Sequence, residues 1–286
     1  MIRKAFRRLF PTINIDGLKA DLHNTQIQQR HLFSYYQNLK ATQGQLPNFA
    51  DSGFRVFSQC DEDGKIMYIF SIIGFLNKKC IDMAFASPYG ANTTNLIINW
   101  GFSALLVEGS DLRKAELFFR SHSDTCVFPP ACVKCWITAE NVNEICINNG
   151  FSGEIDFFSL DMDGIDYHIW EALSVVQPRV IVVEYQDILG PTEALTVPYK
   201  CDFNRFDIHP DFFSASLSAF VKLGKIKDYR LIGTNRLGYN AFFLKNGIGE
   251  DVFPEISVGS CFDHPKVKKG MESRFPPIKD LPWVKV

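Results

Sequence analysis

No apolar run in the sequence is long enough to cross a bilayer. The longest, 66–76, falls well short of the roughly 20 residues a spanning helix needs. No signal-peptide pattern opens the chain. Neither G-x-G-x-x-G nor G-x-x-x-x-G-K-[ST] occurs, so pyrophosphate binding has little support. Excess positive charge is also missing: the net charge is -2 and the pI about 6.3. That argues against bulk binding to nucleic acid. The eight cysteines are scattered, and only Cys132 and Cys135 have metal-like spacing. No second pair or histidine cluster completes a zinc set. Several thiols sit in strand-like runs, which suits apolar burial and a reducing, cytoplasmic setting.

What is present suits a well-filled α/β core. The 286 residues are 46% hydrophobic and include 26 phenylalanines. Residues 1–50 read as a helical extension, 51–245 as the main domain and 246–286 as a tail that wraps the surface or meets a partner. The opening MIRKAFRRLF is basic and amphipathic. It reads as a solvated helix or as a contact for an anionic membrane surface.

Residues 155–184 organise the rest. An apolar run ends on Asp161, and Asp163, Gly164 and Asp166 follow. Ile169, Trp170, Ala172, Leu173 and Val176 then recur at helical spacing. Pro178 is expected to close that helix, and a second apolar run, 180–183, ends on Glu184. Before this unit, strands are expected at 80–85, 104–107 and 132–137. Helices follow them at 92–100, 112–119 and 140–148. Such alternation predicts a parallel sheet with helices on both faces. A long connection over 186–209 reads as a lid. A helix at 211–225 and an antiparallel hairpin, 229–233 with 240–244, come next. Upstream, Ser58 is expected to cap a helix whose first turn holds Asp61, Glu62 and Asp63.

Acids thus stand at successive strand ends: Asp82, Glu108, Glu140, Asp161, Asp163 and Glu184. In open α/β sheets that edge is where ligands bind. A carboxylate ending the second strand suits a ribose diol, because two hydroxyl donors match its two oxygens. A ligand with ribose and no phosphate, such as S-adenosylmethionine, fits this edge.

Several segments carry a resemblance to a known family. They are FSQCDEDGKIMYIFSIIG, NTTNLIINWGFSALLVEGS, WITAENVNEICINNGFSGEIDFFSLDMDGIDYHIWEAL, PRVIVVEY and FFSASLSAFVKLGKIKDYRLIGTNRLGYNAFFL. In order and content the chain resembles FkbM-type S-adenosylmethionine-dependent methyltransferases over most of 54–245. The resemblance implies a Rossmann-like class I methyltransferase sheet of seven strands, mostly parallel with the last antiparallel. It implies a sugar, glycan or other small-molecule hydroxyl as acceptor. It also implies a cofactor pocket built from Gln59, Glu62, Asp82, Ala84, Asn92, Glu108, Gly109, Glu140, Asn141 and Asp161. Glu108 would hold the ribose, Glu140 and Asn141 would lie beside the adenine, and Asp161 would border the methyl. The chain departs from the family in its first loop, where Ala84 and Ala86 replace glycines and Pro88 stiffens the turn.

For chemistry, Asp161 or Asp163 is the candidate base, with His168 as a further candidate. Alternatively Asp161, Asp163 and Glu184 hold Mg²⁺, which would orient a diol. The expectations are therefore two. One is an O-methyltransferase, the other an inactive relative that assembles with a glycan-modifying partner. A homo-oligomer is compatible with either.

Overall fold

The computed structural model describes residues 15–286, with side chains from Asn24 onward. The basic segment 1–10 lies outside them. The chain divides after Leu46. Before the division runs one helix, α1 (Ile15–Ala41), polar along most of its length. The second unit, Pro47–Val286, carries the sheet.

That unit opens with α2 (Glu62–Ile73), β1 (Lys79–Met83), α3 (Thr94–Trp100), β2 (Ser103–Glu108) and α4 (Arg113–Ser121). It continues with β3 (Ala131–Lys134), α5 (Val142–Asn148), β4 (Gly153–Leu160), α6 (Asp166–Ala172) and β5 (Val176–Glu184). After β5 come β6 (Leu195–Thr196), α7 (Leu217–Ile226), β7 (Tyr229–Thr234) and β8 (Asn240–Lys245). The last elements are α8 (Pro265–Ser273) and β9 (Val284–Lys285). Seven strands form one sheet in the order β3-β2-β1-β4-β5-β8-β7. Pairing is parallel from β3 to β5, while β8 runs antiparallel to both β5 and β7. This is the seven-stranded, mostly parallel sheet with an antiparallel last strand that the sequence led us to expect.

Alternation along the strands sorts the core into two layers. In β8, Phe242 meets Phe49 at 5.3 Å between ring centroids, while its neighbour Phe243 meets Trp170 of α6 at 5.0 Å. In β4, Phe157 stacks toward Phe70 of α2, and Phe158 joins the core cluster that also holds Trp170. Two neighbouring phenylalanines on a strand thus serve opposite layers.

Three expected boundaries shift. Pro178 does not end a helix. It lies inside β5, where its missing N–H is tolerated, and α6 has already stopped at Ala172. The helix expected from Asp211 begins at Leu217, because Ser216 caps it by accepting from the Ala219 N–H at 3.2 Å. The third strand stops at Lys134, which frees Trp136 and Ile137 as loop residues.

The acids opening α2 do more than complement its dipole. Asp63 is 1% exposed, and its Oδ2 accepts the N–H groups of Val56, Phe57 and Ser58 at 2.6–2.8 Å. Ser58 Oγ in return accepts the Asp63 N–H at 3.2 Å. Gly64 follows because a Cβ there would meet Phe54 N at 2.2 Å. At the opposite edge of the sheet, fully buried Asp156 pairs with Arg179 at 2.8 Å and accepts the N–H groups of Leu76, Asn77 and Lys78.

Candidate active site

The carboxyl ends of β1, β2 and β4 border two cavities. The first, about 120 Å³, is lined by Glu108, Gly109, Trp136, Ile137, Met162 and Phe203 among others. The second, about 150 Å³, is lined by Gln59, Asp82, Asn92, Ser159, Asp161 and the 84–91 turn. Ala84 lines both. Its φ is +69°, in the left-handed region where L side chains are disfavoured. Backbone geometry that suits glycine is therefore present without the glycine. The turn is held by the Ala84 and Phe85 N–H groups, which both donate to Val107 O at 2.9 Å.

Glu108 lies at the wall of the first cavity, with Oε1 accepting the Ser110 N–H at 2.7 Å. A segment from the long 186–216 connection covers this cavity. The Trp136 indole donates to Cys201 O at 2.7 Å, and the Tyr199 hydroxyl donates to Glu140 Oε2 at 2.5 Å. The Ala139 N–H donates to the same hydroxyl at 3.1 Å. Phe203, 8% exposed, closes the wall.

In the second cavity, Asp82 is 4% exposed and accepts from Thr93 Oγ1 at 2.6 Å. Burial pushes its carboxyl up to about 7. Asn92 donates to Ser159 Oγ at 3.2 Å, while its Oδ1 is buried without a partner. Asp161 is likewise raised by burial, to about 6.

Beyond Asp161 lies an acidic group. Single carboxylate oxygens of Asp161, Asp163 and Glu184 fall within 4.8 Å of one another. Burial first, and Asp161 next, hold the Glu184 carboxyl well above its usual range. Its Oε2 is buried without a donor. The neighbouring Asp161 carboxylate adds to that rise. Asp163, at φ +55°, pairs with Arg205 Nη1 at 2.5 Å. The Arg205 guanidinium stacks 5.0 Å from the Phe206 ring and 4.6 Å from Phe213. A divalent cation needs deprotonated, available oxygens. Here Arg205 already holds the third acid, which leaves Asp161 and Glu184 as the oxygens open to a cation.

Other expected site residues fall elsewhere. Glu62 is fully buried and lines neither cavity. It accepts from Cys60 N at 2.8 Å and from the Asn235 and Asn240 amides at 2.7 and 3.0 Å. Glu140 also lines neither, since it faces Tyr199. Asn141 holds the Thr138 N–H at 2.8 Å and Trp136 O at 2.9 Å instead. His168 sits 2.9 Å from Val197 O and 5.3 Å from the Tyr199 ring, outside both cavity linings. Asp166 organises the turn, accepting the Met162 and Gly164 N–H groups at 2.7 and 3.1 Å. Trp136, Met162, Ser159 and Phe203 were not foreseen. Trp136 was hidden because the third strand was expected to run to 137 and ends at Lys134.

No family model matches the chain, and neither does any curated protein. Among solved structures, an O-methyltransferase family protein from Burkholderia thailandensis is similar at 12% identity and TM-score 0.37, covering 59% of this chain and 52% of that one. The pyocyanin biosynthetic protein PhzM gives 9% and 0.35, covering 62% and 53%. Spermidine synthase from Thermotoga maritima gives 17% and 0.35, covering 72% and 74%. The chain thus spans about half the length of the first two.

Proposed function

We propose that this chain is an S-adenosylmethionine-dependent O-methyltransferase acting on a hydroxyl of a sugar, glycan or other small molecule. One observation carries the reading: Glu108 and Asp161 line two cavities that share Ala84 in their walls. In this reading the ribose diol binds Glu108, and the base lies against Trp136 and Ile137 under Phe203. The amino acid portion enters the second cavity beside Asp82. The sulfonium methyl then comes to Asp161. The acceptor oxygen attacks the methyl, the S–CH₃ bond breaks toward sulfur, and the hydroxyl proton passes to the Asp161 carboxylate. Holding both reactants in line supplies much of the rate. Glu184 stands beside Asp161 and helps to orient it.

The test is production of S-adenosylhomocysteine from S-adenosylmethionine with a panel of sugar and glycan acceptors. No product, together with no heat of cofactor binding in calorimetry, would remove the enzyme reading. The alanine at 84, which lines both cavities at a φ of +69°, supports a second reading. In that one the chain is an inactive relative that assembles with a glycan-modifying partner. Cofactor binding without turnover on any acceptor would favour it.

A further inference from the structure

Resting on the reading that a nucleoside sulfonium fills both cavities, we propose that the second cavity selects a donor whose tail ends in an ammonium and bears no carboxylate. Decarboxylated S-adenosylmethionine then binds more tightly than S-adenosylmethionine itself.

The lining of this cavity holds two carboxylates, Asp82 and Asp161, and no lysine, arginine or histidine. Arg205 acts on Asp161 from a distance, but it is bonded to Asp163 and lines neither cavity. An incoming carboxylate would therefore meet like charge without a counterion, which is the costly case for a buried anion.

Several backbone donors of the turn are already engaged. The Ala84 and Phe85 N–H groups both bond Val107 O, and the Gly90 N–H bonds Phe57 O at 2.7 Å. The Tyr89 N–H reaches Ser87 Oγ at 3.3 Å, and Pro88 has no N–H. The neutral donor Gln59 is exposed and offers a carboxylate little more than water does.

An ammonium finds the opposite. Asn92, 6% exposed, presents a buried Oδ1 that nothing else satisfies. Asp82 and Asp161 supply the charge, and Ser159 Oγ stands beside Asn92. Three donors on a compact cation match these acceptors. Specificity comes from repulsion of the wrong tail as much as from attraction of the right one. The sulfonium methyl is common to both donors, so the bond broken in transfer is unchanged.

Calorimetry on the full chain with S-adenosylmethionine, its decarboxylated form and 5′-methylthioadenosine tests this. The decarboxylated donor should bind at least tenfold more tightly than either of the others. Asp82→Asn should shrink that preference, and an undiminished preference would overturn the electrostatic selection. S-adenosylmethionine binding as tightly or tighter overturns the inference and leaves the nucleoside sulfonium reading standing. Methylthioadenosine matching the decarboxylated donor also overturns it, because the ammonium would then contribute nothing. No binding of any of the three overturns the inference and the underlying reading together.

Discussion

Asp161 and Glu184 stand at the ends of neighbouring parallel strands, with carboxylate oxygens within 4.8 Å of each other. Burial, and Asp161 next, hold the Glu184 carboxyl well above its usual range, and Asp161 is the proposed base. The Asp161 carboxyl is raised to about 6, so the basic form accumulates only above that pH. Methyl transfer should rise with pH through about 6 and then level off. Asp161→Asn should lose at least ~100-fold in rate, the usual scale of a general base, with an unchanged circular dichroism spectrum. Full activity in that variant would remove Asp161 from the mechanism.

Stability should run the other way. Asp63 and Asp161 are raised to about 6, and Asp82 and Asp166 to about 7, each chiefly by burial. The folded chain therefore binds more protons than the unfolded chain between the ordinary carboxyl range, about 4, and these values. The stability these groups confer is complete below the unfolded pKa and is lost as pH rises through 6–7. Asp82→Asn, which can still accept from Thr93, should flatten the fall in melting temperature between pH 5 and pH 8. A variant with the same slope as the parent would exclude Asp82 as a contributor.

Ala84→Gly tests the strained turn. Left-handed geometry costs a residue with a Cβ roughly 1–2 kcal/mol. Glycine's extra freedom in the unfolded chain takes back about 0.5–1 kcal/mol. The net expectation is a gain of about 0–1.5 kcal/mol in urea unfolding. Removing the methyl of a residue that lines both cavities should also tighten binding of the nucleoside sulfonium. Weaker binding would show that the methyl packs against the ligand instead of crowding it.

Asp156→Ala is a test of the fold away from the cleft. It strands Arg179 and three N–H groups at the start of β1. Breaking one half of a buried pair costs about 3–5 kcal/mol. Unfolding measurements should show a loss on that scale. A loss under about 1 kcal/mol would mean that water replaces the carboxylate at this edge.

Tyr199→Phe removes the hydroxyl that joins the covering segment to Glu140 and to the Ala139 N–H. The cavity behind Trp136 should open more readily, and stopped-flow fluorescence should show faster release of a bound nucleoside. An unchanged release rate would mean that Phe203 and the Trp136–Cys201 bond hold the cover alone.

The sheet was legible because βα alternation and strand-end acids are local patterns. Glu108 and Asp161 could be placed by that rule alone. Glu62 could not, because its partners Asn235 and Asn240 lie more than 170 residues away in sequence. Glu140 misled for the same reason, since Tyr199 reaches it from a distant connection. Pro178 misled because a proline signals a helix end in sequence, yet it sits in a strand without loss when its N–H is not needed. The role of Phe203 was hidden because long connections carry no periodicity to read.

The two-stranded ribbon of β6 and β9 joins Leu195–Thr196 to Val284–Lys285, and the Val286 N–H bonds Ala194 O at 3.1 Å. Thr196 bridges onward to Ala215, within the same connection that covers the first cavity. Occupancy of the cleft is therefore thermodynamically linked to the final residues. A ligand that favours the closed cover must slow amide hydrogen exchange at Lys285 and Val286, far along the sequence from anything it touches.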